Sequence, residues 1–175
     1  MRVIGLAGWS GAGKTTLLVR ILPLLSARGL RVSTLKHAHH SFDVDRPGKD
    51  SHAHREAGAV EVLVASGRRW ALMRELRDAP EPSLAELLGH MSPVDLVIVE
   101  GFKHAPHPKV EVHRAANDKP WLHPDDPAVI GLVTDAAYPG ALPCAALDDA
   151  EAAAELVARL ARPLPEVLAA LGRSA

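Results

Sequence analysis

The stretch Gly8-Trp9-Ser10-Gly11-Ala12-Gly13-Lys14-Thr15 reads G-x-x-x-x-G-K-T. The apolar run Val3-Ile4-Gly5-Leu6-Ala7 precedes it, and Thr16-Leu17-Leu18-Val19-Arg20-Ile21-Leu22 follows with helical patterning. Strand, glycine-rich loop and helix in that order are the context in which this motif cradles phosphate. Glycines at 8, 11 and 13 allow backbone conformations and close approaches that a side chain blocks, so consecutive N–H groups can converge on one anion. The positive end of the helix faces the same point. Lys14 is the expected contact to the β/γ-phosphates and the Thr15 hydroxyl the expected magnesium ligand. Ser10, Gly11, Ala12, Gly13 and Thr16 complete the expected nucleotide-binding loop.

Working outward, Leu17, Leu18, Ile21, Leu24 and Leu25 recur at helical spacing as far as Gly29, with Pro23 expected to kink or divide the helix. Leu30 to Leu35 returns to strand and completes a βαβ unit, which implies parallel strands. Asp95-Leu96-Val97-Ile98-Val99-Glu100-Gly101 has four apolar residues at its centre, as a strand covered on both faces requires. A carboxylate at the end of such a strand can hold magnesium's hydration shell opposite the phosphate loop. Glu100 therefore joins Thr15 as a metal candidate and Lys14 as a catalytic one. Ala128 to Val133 reads as a further buried strand. Asp135 lies just past it, where ligands bind in open α/β sheets, and is a candidate acceptor for a nucleotide base. No N/T-K-x-D guanine signature is present.

Lys109-Val110-Glu111-Val112-His113-Arg114 alternates strictly, which predicts a strand with one wet face near a sheet edge, a possible interaction surface. Residues 115–127 form a long loop. Val60 to Ala65 and Arg69 to Met73 pair as a hairpin through Ser66-Gly67, with Trp70 expected to pack. Ser83-Leu84-Ala85-Glu86 opens one helix, Asp148-Asp149-Ala150-Glu151 a second and Pro163/Pro165 a short last one. The fold class is α/β: a P-loop NTPase-like, mostly parallel sheet flanked by helices, with an extra β-hairpin and edge strands, forming one domain over 1–175.

At 175 residues with 20 Lys+Arg against 21 Asp+Glu, the chain suits one soluble domain and carries no basic run for nucleic acid. Cys144 stands alone, which excludes an internal disulfide and favours a small buried side chain. No 18-residue apolar run and no signal peptide is seen, so a cytoplasmic protein with no membrane partner is expected. The segment from Lys36 to Arg55 holds five of the ten histidines, His37, His39, His40, His52 and His54. Imidazole suits zinc or nickel, but His39 and His40 are adjacent and no cysteine accompanies them, so a solvated or phosphate-facing loop is the better reading. Its carboxylates are different: Asp45 or Asp50 could reach the metal directly or through water, and Asp45-x-x-Gly48 has the spacing of a γ-phosphate-sensing switch. Asp45 is thus a nucleotide and metal candidate, and Lys49 beside it a nucleotide one.

The loop GWSGAGKTT, the segment LKHAHHSFDVDRPGKDS followed by REAGA, the pair RWAL, and LVIVEGFK with downstream PKVEVHR resemble the MobB family of molybdopterin-guanine dinucleotide biosynthesis adapters. The likeness runs from residue 2 to about 114 and is weaker beyond. It implies a homodimeric GTP-binding protein that uses Mg2+ and is at most a slow GTPase. It also implies a role assisting the guanylyltransferase that attaches GMP to molybdopterin, with a molybdenum insertase as a further partner. Guanine preference comes from this resemblance alone. Two other readings stay open: a small-molecule kinase, for which Arg68 and Arg69 are the nearest approach to a basic lid, and a GTP-dependent metallochaperone using the histidine segment. Trp9 stands where the related dimeric metal-cluster ATPases carry a signature lysine, so a lysine donated across a dimer is not expected.

Overall fold

Ile4 and Leu6 of β1 (Arg2–Ala7) pack into one hydrophobic cluster and Val3 into another, so this strand is buried on both faces. A strand of that kind belongs inside a parallel sheet. The computed structural model describes residues 1–38 and 42–172. It divides into two units, Met1–His37 with Leu84 onward, and Ala38–Ser83.

In the first unit β1 lies between β5 (Leu96–Glu100) and β6 (Lys109–His113). The sheet continues outward to β2 (Val32–Lys36) beyond β5, and to β7 (Val129–Thr134) and β8 (Cys144–Ala146) beyond β6. All these neighbours are parallel; only the short β9 (Arg162–Pro163) runs antiparallel, beside the start of β1. Helices α1 (Lys14–Ala27) and α4 (Ala150–Leu160) supply one core with Leu17, Ile21, Leu25, Leu156 and Val157. Helices α3 (Leu84–Gly89) and α5 (Leu164–Leu171) cover the other with Leu84, Leu88 and Val167. The expected kink at Pro23 does not divide α1, which runs through it. That helix stops at Gly29, whose positive φ lets Leu30 N–H reach Leu25 O and Gly29 N–H reach Ser26 O. At the start of α4, Asp149 accepts the Ala152 N–H at 2.9 Å.

The wet face expected on 109–113 is not there. Lys109 is 1% exposed and Glu111 fully buried, because β6 is an inner strand and loops close over its polar side. Lys109 Nζ pairs with Asp126 at 2.6 Å and donates to the carbonyls of Lys103 and Ala105, both at 2.8 Å. The Glu111 carboxylate accepts the N–H groups of Leu122 at 2.8 Å and His123 at 3.0 Å. His113 stacks on Trp121 with ring centroids 3.7 Å apart, next to the Lys119 carbonyl. Alternation revealed two chemically different faces; it did not reveal that one is covered by backbone in place of a helix. Beside this network His107 fills the space above Gly5, where any Cβ would collide with its ring, and burial with the nearby Lys109 charge pushes its pKa down to about 4.

The second unit holds α2 (Asp50–Glu56) and the antiparallel pair β3 (Glu61–Ala65) and β4 (Trp70–Arg74). Trp70, expected to pack, is instead 67% exposed, and Leu63 and Leu72 share that exposure. A two-stranded ribbon buries little by itself, and here only Val62 of the pair is enclosed. Cys144, expected to be buried, lies exposed on the sheet's short outer strand.

Glu111→Ala strands two partly buried N–H groups and is expected to cost about 2–4 kcal/mol in urea unfolding. Amide exchange at Leu122 and His123 should quicken in the same variant, and unaltered protection there would refute the clamp.

Candidate functional site

Parallel register sets the geometry. Leu6 of β1 and Lys36 of β2 each align with Glu100 of β5, so the phosphate loop leaves β1 beside the Glu100 carboxylate. Gly8 passes so close to β6 that a Cβ would strike the Val112 carbonyl. Gly13 takes φ 94° as the N-cap of α1, and no side chain caps that helix. Its first N–H groups are therefore left for an external acceptor, the arrangement that binds phosphate.

Lys14 Nζ donates to the carbonyls of Gly8 at 2.8 Å and Trp9 at 3.0 Å, which folds the ammonium over its own loop. Burial holds its pKa below the ordinary lysine value; Glu100 opposes this, and the Lys103 and Lys36 charges reinforce it. Thr15 Oγ1 donates to Glu100 Oε1 at 2.7 Å, and Lys36 Nζ lies 3.6 Å from the same oxygen. Lys14 therefore feels one carboxylate and two further lysine charges, a net positive field suited to a polyanion. A hydroxyl and a carboxylate oxygen in contact are hard donors that fit magnesium, which keeps several waters and takes few protein ligands. Thr15 and Glu100 are the residues that would hold it.

The neighbouring loop presses on this site. Trp9 Nε1 donates to Pro120 O at 2.7 Å, Asn117 Nδ2 donates to Ser10 O at 2.9 Å, and Lys103 Nζ sits 4.9 Å from the centre of the Trp9 ring. Arg114 Nη2 lies 3.3 Å from where a Cβ on Gly13 would stand. Asp135 accepts the Ala115 N–H at 2.7 Å. Arg114, Asn117 and Lys36 were not singled out from the sequence. The usable signal for Arg114 was its place at the carboxyl end of an inner strand; nothing local marked the other two.

Asp45 and Lys49 lie in the second unit. Asp45 accepts Ser51 Oγ and the Arg46 N–H, both at 2.9 Å, and its Oδ2 lies 3.4 Å from Arg55 Nε. Arg55 also binds Asp43 and Glu75, each at 2.8 Å. Burial opposes ionisation of Asp45, but hydrogen bonds from Ser51 and Arg46 and the Arg55 charge outweigh it and keep the carboxyl below its usual range. Asp50 begins α2, and His52 and His54 lie on it; His39 and His40 fall outside the described residues. Among the described residues no group of three His, Cys, Asp or Glu side chains is placed to hold a metal ion.

Sheet order, phosphate loop and the Thr15–Glu100 pair define a P-loop nucleotide-binding fold. The chain belongs to the MobB family: the model for molybdopterin guanine dinucleotide synthesis protein B matches residues 3–135. The molybdopterin-guanine dinucleotide biosynthesis adapter protein of Escherichia coli is 45% identical over 160 residues, covering 89% of this chain and 90% of that protein. Its counterpart in Haemophilus influenzae is 44% identical over 140 residues, covering 78% and 75%. The crystal structure of Bacillus subtilis MobB superposes with a TM-score of 0.72 at 26% identity, over 93% of this chain and 99% of that one. No helix among the described residues is long and apolar enough to cross a membrane.

Lys14→Ala should abolish nucleotide binding in calorimetry while leaving the melting temperature within a few degrees, since the lysine is only half-buried; undiminished affinity would refute its role. Glu100→Gln should blunt the magnesium dependence of binding, and an unchanged magnesium titration would move the metal to another carboxylate.

Proposed function

We propose that this protein is a GTP-binding adapter of molybdenum cofactor synthesis that assists the guanylyltransferase attaching GMP to molybdopterin. The carrying observation is the phosphate loop with its Thr15–Glu100 contact, in a chain whose close relatives are named as biosynthesis adapters. In this reading the loop from Ser10 to Thr16 embraces the phosphates, and Lys14 exchanges the Gly8 and Trp9 carbonyls for β/γ-phosphate oxygens. Thr15 and Glu100 share Mg2+. Asp45 and Lys49 remain candidates to approach the γ-phosphate side; the ties of Asp45 to Ser51 and Arg55 make it the second choice for the metal.

Hydrolysis in this reading is slow. Efficient GTPases position a Gln or Arg on the attacking water and the developing charge, and this accounts for several orders of magnitude in rate. The chain contains no glutamine, and Lys36 is the cation paired with the Glu100 carboxylate. The protein acts as a homodimer in the cytoplasm, and a molybdenum insertase is a second partner. Arg68 and Arg69 lie at the hairpin turn of the second unit, and Ser66 bonds the backbone of both, an arrangement suited to a tight turn more than to a kinase lid.

A pull-down with and without a non-hydrolysable GTP analogue tests the adapter role. Retention of the guanylyltransferase is expected, stronger with the analogue. Phosphorylation of a small metabolite from GTP, with no guanylyltransferase retained, would replace the adapter by a kinase.

A further inference from the structure

The turn that leaves β5 is held from several sides. A Cβ on Gly101 would stand 2.7 Å from the His37 Cβ, so the backbone passes directly against the residue that follows β2, whose N–H donates to Glu100 O at 2.8 Å. Phe102 takes a left-handed φ of 50°, and its ring stacks on the His37 imidazole with centroids 4.4 Å apart. A residue with a side chain keeps that conformation only where its surroundings over-determine it, and such positions concentrate at functional sites. The Ala105 N–H closes the turn on Phe102 O at 2.9 Å, and the Lys109 ammonium takes the carbonyls of Lys103 and Ala105. Lys109 is buried and paired with Asp126, so an ion pair inside the protein fixes the backbone of Lys103 while its side chain stays partly exposed.

What this turn presents is one ammonium. Lys103 Nζ lies 4.9 Å from the centre of the Trp9 ring, and among the described residues it has no hydrogen-bond acceptor and no carboxylate partner. The Trp9 carbonyl accepts Lys14 Nζ at 3.0 Å. A single residue of the phosphate loop thus holds two ammoniums, one on its backbone and one on its ring, close enough for the Lys103 charge to be felt at Lys14. Two like charges brought together repel, and a partly exposed cation gains little from a ring, so both groups are poised to move to an anion placed between them. In phosphate-loop proteins the metal ion bridges β- and γ-phosphate oxygens, so the Thr15–Glu100 contact marks where those oxygens lie. The loop N–H groups and Lys14 serve the phosphates from the α1 side. Lys103 comes instead from the strand that ends in Glu100, three residues further on, and is left for the terminal phosphate.

We propose that Lys103 is the γ-phosphate contact of this site: it leaves the Trp9 ring for the terminal phosphate when a nucleoside triphosphate binds, and so distinguishes tri- from diphosphate. A lysine ammonium is a compact charge on a flexible four-carbon stem with three rotatable donors, so it swings from ring to phosphate without moving its backbone, which Lys109 clamps. Its hydrogen bond to an ionised oxygen is of the stronger, charge-assisted kind. A diphosphate offers no oxygen at that place and leaves the ammonium on the ring. Trp9 then has a role of its own, because indole is the best of the aromatic rings for holding a cation. The proposal rests on the nucleotide-binding reading of the phosphate loop and adds to it the group that registers the third phosphate.

Calorimetry with GTP and GDP on the unsubstituted protein, Lys14→Ala, Lys103→Ala and Lys103→Arg tests this, with melting curves to check that each variant folds. Lys103→Ala should weaken GTP about tenfold and GDP by no more than about twofold, and Lys103→Arg should keep most of the preference for GTP. Should the alanine variant not fold, Lys103→Met, which keeps an apolar stem against the indole, carries the same expectation. The fluorescence of Trp9 is read as the difference from a Trp9→Phe variant, since Trp70 and Trp121 also emit. GTP should change it more than GDP does, and the excess should vanish in Lys103→Ala. Equal losses for GTP and GDP in a folded Lys103 variant, no loss for either, or a Trp9 signal that answers both nucleotides alike overturns the γ-phosphate contact, while loss of both nucleotides in Lys14→Ala keeps the phosphate-loop reading. Full affinity for both in Lys14→Ala overturns that reading and the contact with it.

Discussion

The 2.7 Å hydrogen bond from Thr15 to Glu100 joins two segments 85 residues apart, and the candidate site depends on it. It exists because β1 and β5 are parallel neighbours in a register that sets Leu6 beside Glu100. The phosphate loop then begins where the β5 carboxylate ends, and α1 starts at the same level. A strand slipped by one residue would turn Glu100 into the opposite face, so the hydrophobic alternation that locks Val97 and Val99 against one core and Ile98 against the other also aims the carboxylate. The same residues that stabilise the sheet position its chemistry.

A second constraint is the polar face of β6. Lys109, Glu111 and His113 point away from the apolar cluster that takes Val110 and Val112, and each is satisfied mainly by loop backbone or by a side chain from that loop. Buried charges are tolerated when their hydrogen bonds are complete, and here they also order residues 115–128, a stretch with little regular structure of its own. The loop in turn places Asn117 on the Ser10 carbonyl and Pro120 on the Trp9 indole. Polar burial in the sheet thereby reaches the phosphate loop through two short relays. The second unit uses another device: Arg55 gathers Asp43, Asp45 and Glu75 around one guanidinium, which orders an acidic segment that has little apolar surface to bury.

The fold was legible where local chemistry and tertiary environment agree. G-x-x-x-x-G-K-T between an apolar run and a helical pattern, a fully apolar strand ending in Glu100, and the helix stop at Gly29 describe themselves, since each depends on neighbours a few residues away. Readings failed where the environment was set from a distance. Trp70 and Cys144 looked like packing residues, but one lies on an uncovered ribbon and the other on an outer strand of three residues. The alternation of 109–113 looked wet because nothing in it shows that distant loops will cover it.

By itself the sequence determined that a glycine-rich loop of phosphate-binding pattern opens an α/β fold, that Lys14 and Thr15 stand at the start of the helix behind it, and that Glu100 ends an inner strand. Those conclusions follow from backbone freedom, residue chemistry and periodicity, all of which are local. Tertiary structure decided which carboxylate meets Thr15, that Lys36 pairs with it, and that Arg114, Asp135 and Asp148 border one cavity. Those residues are brought together by parallel strand order, a property of the whole sheet that no single segment encodes.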